Sequence, residues 1–176
     1  MKSLTTIQKT FRMFQVLTKI AMILSFAWAG IAVLGVACGM VWQNGGMVIG
    51  ANRELFYSMT ETDGLREMIY VLLADTVFAL TDGILLAGAL RYFKAEQADG
   101  TPFTYHGAVQ IRKLGIRTIV LPLVANIVAA VLYAVSRVPE IARGDWGCEW
   151  GVPMGIGLII ASLIFQYGAD LEEKVK

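Results

Sequence analysis

Four stretches of this chain, 20–42, 68–92, 114–133 and 152–168, are apolar almost throughout. About 20 such residues cross a hydrocarbon core of about 30 Å at 1.5 Å per residue. Inside lipid each backbone N–H and C=O must find its partner within the protein, so spans of this length close as helices. The expectation is an all-α integral membrane protein: a four-helix bundle forming a single transmembrane domain over 1–176. Composition agrees, because 56% of the 176 residues are hydrophobic, above the roughly 45 to 50% of soluble domains.

Charge orients the spans. Lys2, Lys9, Arg12, Lys19, Arg91, Lys94, Arg112, Lys113, Arg117, Lys174 and Lys176 fall on one side of the predicted bundle. The other side holds only Arg53, Arg66, Arg137 and Arg143, outnumbered by acids such as Glu54, Glu61, Asp63, Glu140 and Asp145. Cytoplasmic loops accumulate Lys and Arg, so both termini are expected on the cytoplasmic side of a bacterial inner membrane. Two acidic outer loops then cover roughly 43–67 and 134–151, and one inner loop covers about 93–113. Trp42, Tyr92, Tyr133, Trp150 and Tyr167 lie near span ends, as an interfacial aromatic belt requires.

Residues ahead of the first span, including Leu4, Ile7, Phe11 and Phe14, recur at helical spacing. They predict a short N-terminal amphipathic helix, either lying on the inner surface or running straight into the span. A cleaved export signal is not expected, because the apolar run exceeds the usual 7 to 15 residues. The lipoprotein-like box Gly35-Val36-Ala37-Cys38 also has Gly where a large aliphatic residue belongs.

Small residues four apart mark close helix contacts in lipid. Gly35 and Gly39 form one such pair, and Gly151 and Gly155 another. They serve packing inside the monomer or homo-oligomerisation. Pro122 removes one backbone donor from the third span, and Asn126 follows one turn later.

The residues least compatible with lipid are Asp75 and Asp82 in the second span. A carboxylate at bilayer depth costs on the order of 2.5 to 3.5 kcal/mol on insertion scales, so it faces an interior, a wet cavity or a partner. Seven residues of helix place the two on one face, about 10 Å apart along the axis. In an antiparallel hairpin of the second and third spans, Asp75 falls near the level of Asn126, and Asp82 within reach of Arg117. The pairs Asp75 with Asn126 and Asp82 with Arg117 are therefore expected. These four residues form either buried polar anchors or a proton, cation or ligand site.

No enzyme motif accompanies them. The spacing of the acids does not make a shared-proton dyad, and no nucleophile elbow, phosphate-binding glycine loop or metal-ligand repeat occurs. His106 is the one histidine, and Cys38 and Cys148 are the two cysteines, so no cofactor or metal is expected. Both cysteines fall toward the outer side, where they either form a disulfide or remain two thiols. Net charge +1 and a pI near 7.7 offer no basic stripe for direct nucleic-acid binding.

Two segments carry a resemblance. One reads Asp99-Gly100-Thr101-Pro102-Phe103-Thr104 and continues into Ile111-Arg112-Lys113-Leu114-Gly115; the other is Phe165-Gln166-Tyr167-Gly168-Ala169-Asp170-Leu171-Glu172-Glu173. In order and placement they resemble the bacterial DUF2975 family of small four-span membrane proteins of unknown function, over about residues 10–173. Independently of the family, Pro102 stops a helix, Thr104 is placed to cap the next, and Arg112, Lys113 and Arg117 reach headgroups. The resemblance implies a link to small helix-turn-helix regulators. The leading expectation is a non-enzymatic sensor or regulatory partner whose Pro102, Phe103, Arg112 and Lys113 face a cytoplasmic protein. The alternative is a small transporter or channel component with a cation or proton path along Asp75 and Asp82.

Overall fold

The computed structural model describes residues 2–48, 52–99, 104–136 and 148–175, all in helices and short turns with no strand among them. Five helices follow in order: α1 (Lys2–Gln43), α2 (Arg53–Thr60), α3 (Leu65–Asp99), α4 (Tyr105–Ser136) and α5 (Cys148–Val175). Four have stretches long and apolar enough to cross a membrane, Arg12–Gln43, Leu65–Ala95, Tyr105–Ser136 and Gly151–Leu171. Each extends beyond the apolar run read from the sequence, since backbone hydrogen bonding continues a helix into the polar interface where hydropathy has already fallen.

Of the two arrangements expected for the N-terminal segment, the structure shows the one that runs straight into the span: 2–19 and the first span are one helix, α1. No Pro or Gly interrupts the junction near Lys19 and Ile20, so the helix propagates through it. The helix ends by a recognisable device. Gly45 takes φ 77°, and the N–H groups of Gly45 and Gly46 donate to the carbonyls of Trp42 and Val41 at 3.1 and 2.9 Å. These are the paired bonds of a Schellman turn, which satisfy carbonyls the helix leaves open.

The described chain falls into two compact units. The first comprises Met1–Ile23, Asp82–Pro122 and Gly147–Lys176, and the second Leu24–Thr81 and Leu123–Trp146.

In the second unit, α3 packs on both α1 and α4. Against α1, the backbone at Gly39 comes so close that an added Cβ would lie 2.6 Å from Ile69 Cγ1, and Ala32, Val36, Trp42, Met68, Ile69 and Leu72 close a buried cluster around it. Against α4, Val71, Ala74 and Phe78 meet Ala125, Ala129 and Tyr133. Ala125 and Ala129 stand one turn apart and let the helix backbones approach. Arg66 spans the same pair of helices, donating from Nη2 to the Val135 carbonyl at 3.5 Å near the open end of α4.

A short helix covers the end of the α1–α3 pair. Asn52 caps α2 by accepting from the Glu54 N–H at 3.0 Å, and Glu61 terminates it at φ 51°. Phe56 of α2 meets Trp42 edge to face at 6.0 Å, and the Arg53 guanidinium lies 5.4 Å from the Trp42 ring centroid.

In the first unit, α4 and α5 approach through glycine. A Cβ on Gly155 would stand 2.8 Å from the Gly115 carbonyl oxygen and collide with Ile119. Gly151 packs over the Thr118 carbonyl, which is the one left without a helical donor by Pro122. The Gly35/Gly39 and Gly151/Gly155 pairs are thus occupied by contacts within the monomer. Thr104 caps α4 as expected, its Oγ1 accepting from the Gly107 N–H at 3.0 Å.

Candidate functional site

Half of the most apolar window of α3 is buried (50%), against 22% for α1, 17% for α4 and 11% for α5. The helix that carries the two acids is therefore the one most enclosed by protein.

Asp75 belongs to the second unit and is 8% exposed. Its neighbours along α3 include Val71, Leu72, Ala74, Phe78 and Ala79, all buried. The nearby hydroxyl does not serve it, because Thr76 Oγ1 donates to the Leu72 carbonyl at 2.8 Å within its own helix. No hydrogen bond joins Asp75 to Asn126, which lies half-buried on α4. Level along the axis was predictable, whereas the rotation that brings two side chains face to face depends on how the helices pack.

Asp82 belongs to the first unit and is exposed. Thr81 beside it likewise donates back into α3, to the Val77 carbonyl at 2.8 Å. The expected pair with Arg117 is not formed among the described residues. Arg117 instead lines a cleft between α3 and α4 together with Gly88, Arg91, Gln110, Lys113 and Leu114. A long cationic side chain near a span end extends toward water and headgroups in preference to the hydrocarbon, which turns it away from Asp82.

Among the remaining predicted residues, Arg112 and Lys113 are exposed near the start of α4, while Pro102 and Phe103 lie outside the described residues. Cys38 is a half-buried free thiol on α1, and the side chain of Cys148 lies outside the described residues, so the bridge between them does too. Among the described residues no three His, Cys, Asp or Glu side chains gather into a metal-holding group.

Sequence reasoning missed the cationic cleft, although its signal was present. Arg91 closes the apolar run of the second span, and Lys113 and Arg117 stand one turn apart at the start of the third. Gly88 was the unread part, since a glycine there matters only once the opposing helix is in place. No protein-family model, no curated protein and no solved structure matches this chain, and the resemblance to DUF2975 rests on its two short segments alone.

Proposed function

We propose that this chain is a non-enzymatic, multi-pass protein of the bacterial cytoplasmic membrane, with both termini inside, that senses a ligand or proton near Asp75 and signals to a cytoplasmic partner. The observation that carries the reading is Asp75 itself. It is a carboxylate 8% exposed on the most enclosed spanning helix. Such a group favours any event that neutralises it, by protonation or by a bound cation, because the cost of burial falls mainly on the charged form.

Helix α3, which carries Asp75, runs from Leu65 to Asp99 and leads into the inner loop. The inner loop that follows, with Pro102 and Phe103, and the exposed cations Arg112 and Lys113 in the first turns of α4 are the proposed surface for the partner. The resemblance to DUF2975 points to a small helix-turn-helix regulator in that role. Asymmetry of Lys and Arg between the two sides supports the orientation.

The test replaces Asp75 by Asn on the chromosome and follows transcription, alongside crosslinking from photoreactive residues at positions 112 and 113. Altered transcription together with a specific cytoplasmic crosslink that Asp75→Asn changes is the expected result. Unchanged transcription with no cytoplasmic crosslink overturns the model.

A further inference from the structure

We propose that the cleft between α3 and α4 binds the phosphate of an anionic membrane lipid. It is a half-open cleft of about 150 Å³ lined by Gly88, Arg91, Gln110, Lys113, Leu114 and Arg117. That volume is several times the roughly 30 Å³ share of one water, enough for a phosphate group with part of its hydration. All its residues lie in the first unit.

The lining holds three cations and no carboxylate. Among the described residues none of the three forms an ion pair, and the acids of α3 that flank the cleft, Asp82 and Glu96, are six and eight residues from Gly88, about 9 and 12 Å along the axis. Three like charges converging on one space repel one another, and an anion seated among them reverses the sign of that interaction. Two of the three are arginines, whose planar donor forks match phosphate oxygens two at a time. Gln110 adds a polar wall and is held in place, its Nε2 lying 2.7 Å from His106 Nε2 one turn earlier on α4.

Gly88 makes the space. A Cβ there would meet only Leu114 Cδ1, at 3.1 Å, so the absence of a side chain opens the cleft without being required by backbone contact. Depth also fits a lipid: the apolar run of α3 closes at Arg91 and Tyr92, and that of α4 opens at Leu114, between Lys113 and Arg117. One turn deeper on the same stripes, Ile84 and Val120 are 49% and 48% exposed, which gives acyl chains an apolar surface below the headgroup. Ordinary anchoring of basic residues requires neither a cleft nor a glycine floor. Basic pockets between spanning helices are a recognised setting for anionic headgroups. The proposal does not rest on the sensor reading; Lys113 is common to both surfaces, and the variants that test the cleft change Arg91, Arg117 and Gly88 instead.

Native mass spectrometry of the full chain in detergent tests it, with dioleoyl phosphatidylglycerol, dioleoyl phosphatidylcholine or inorganic phosphate as the probe. Phosphatidylglycerol is expected to bind about tenfold more tightly than phosphatidylcholine, and the Arg91→Gln/Arg117→Gln variant to lose that preference. Gly88→Leu, with every cation retained, should weaken binding about fivefold by filling the space. Lys9→Gln/Lys19→Gln removes the same charge outside the cleft and should stay within about twofold of wild type. Arg91→Lys/Arg117→Lys, with an unchanged circular dichroism spectrum, keeps the charge but not the planar forks and should bind more weakly than wild type yet more tightly than the Gln pair; binding as weak as the Gln pair's overturns the part assigned to charge. Saturable binding of inorganic phosphate that vanishes in the same variants keeps the phosphate site and reassigns its source to a soluble ligand. Absence of any preference in wild type, or equal loss in the Lys9/Lys19 control, overturns the proposal.

Discussion

Asp75 and Asp82 share a face of one helix, yet one is buried and the other exposed. Rotation along the helix sets the direction of a side chain; burial depends on what packs opposite. At Asp75 the flanking residues join a cluster with Ala125, Ala129 and Tyr133, and among the described residues no hydrogen bond to its carboxylate is formed. Asp75→Asn should therefore raise thermal stability in detergent by about 1 to 3 kcal/mol while abolishing the signalling response. Asp82→Asn should change stability by less than about 1 kcal/mol, because its carboxylate already reaches the surface. Thermal unfolding of the two variants side by side checks both, and a large loss at Asp75→Asn would show that the carboxylate has a structural partner after all. The position and depth of the acids could be read from the apolar run. Their partners could not, since an error of a few tens of degrees in helix rotation is enough to part Asp75 from Asn126.

Among the elements, the long helices were legible because their apolar runs leave the backbone no alternative in lipid. The eight-residue α2 was read as loop. Its cap was nonetheless written in Asn52, with Glu54 in the first turn, and its core-facing residue is Phe56. Asn52→Ala should cost about 1 kcal/mol of local stability, seen as faster amide exchange across α2. At the α4–α5 contact, Gly155→Ala forces a methyl group against the Gly115 carbonyl and Ile119, neither of which can swing away. We expect a loss of about 1 to 3 kcal/mol in urea or detergent unfolding. Gly88→Ala meets only the end of the Leu114 side chain and should be nearly silent. Comparable losses at both positions would mean that α4 and α5 do not depend on this close approach.

For the molecule as a whole, orientation is the prediction with the widest reach. With Cys38 and Cys148 replaced by Ser, a cysteine at Met47, 88% exposed after α1, should react with an impermeant maleimide added outside intact cells. One at Tyr105, 62% exposed at the start of α4, should react only after the membrane is opened. The reverse pattern would place the basic side outside and undo the proposed partner surface. By itself the sequence determined the solvent, the number of spans and which residues are costly within them, because these follow from hydropathy and backbone hydrogen bonding. Only the tertiary structure decided that α1 is continuous, that the paired glycines are used within the monomer, that Asp75 is sealed and Asp82 is not, and that three cations converge on Gly88. Each of these depends on the rotation and separation of neighbouring helices, which local sequence leaves free and side-chain packing sets.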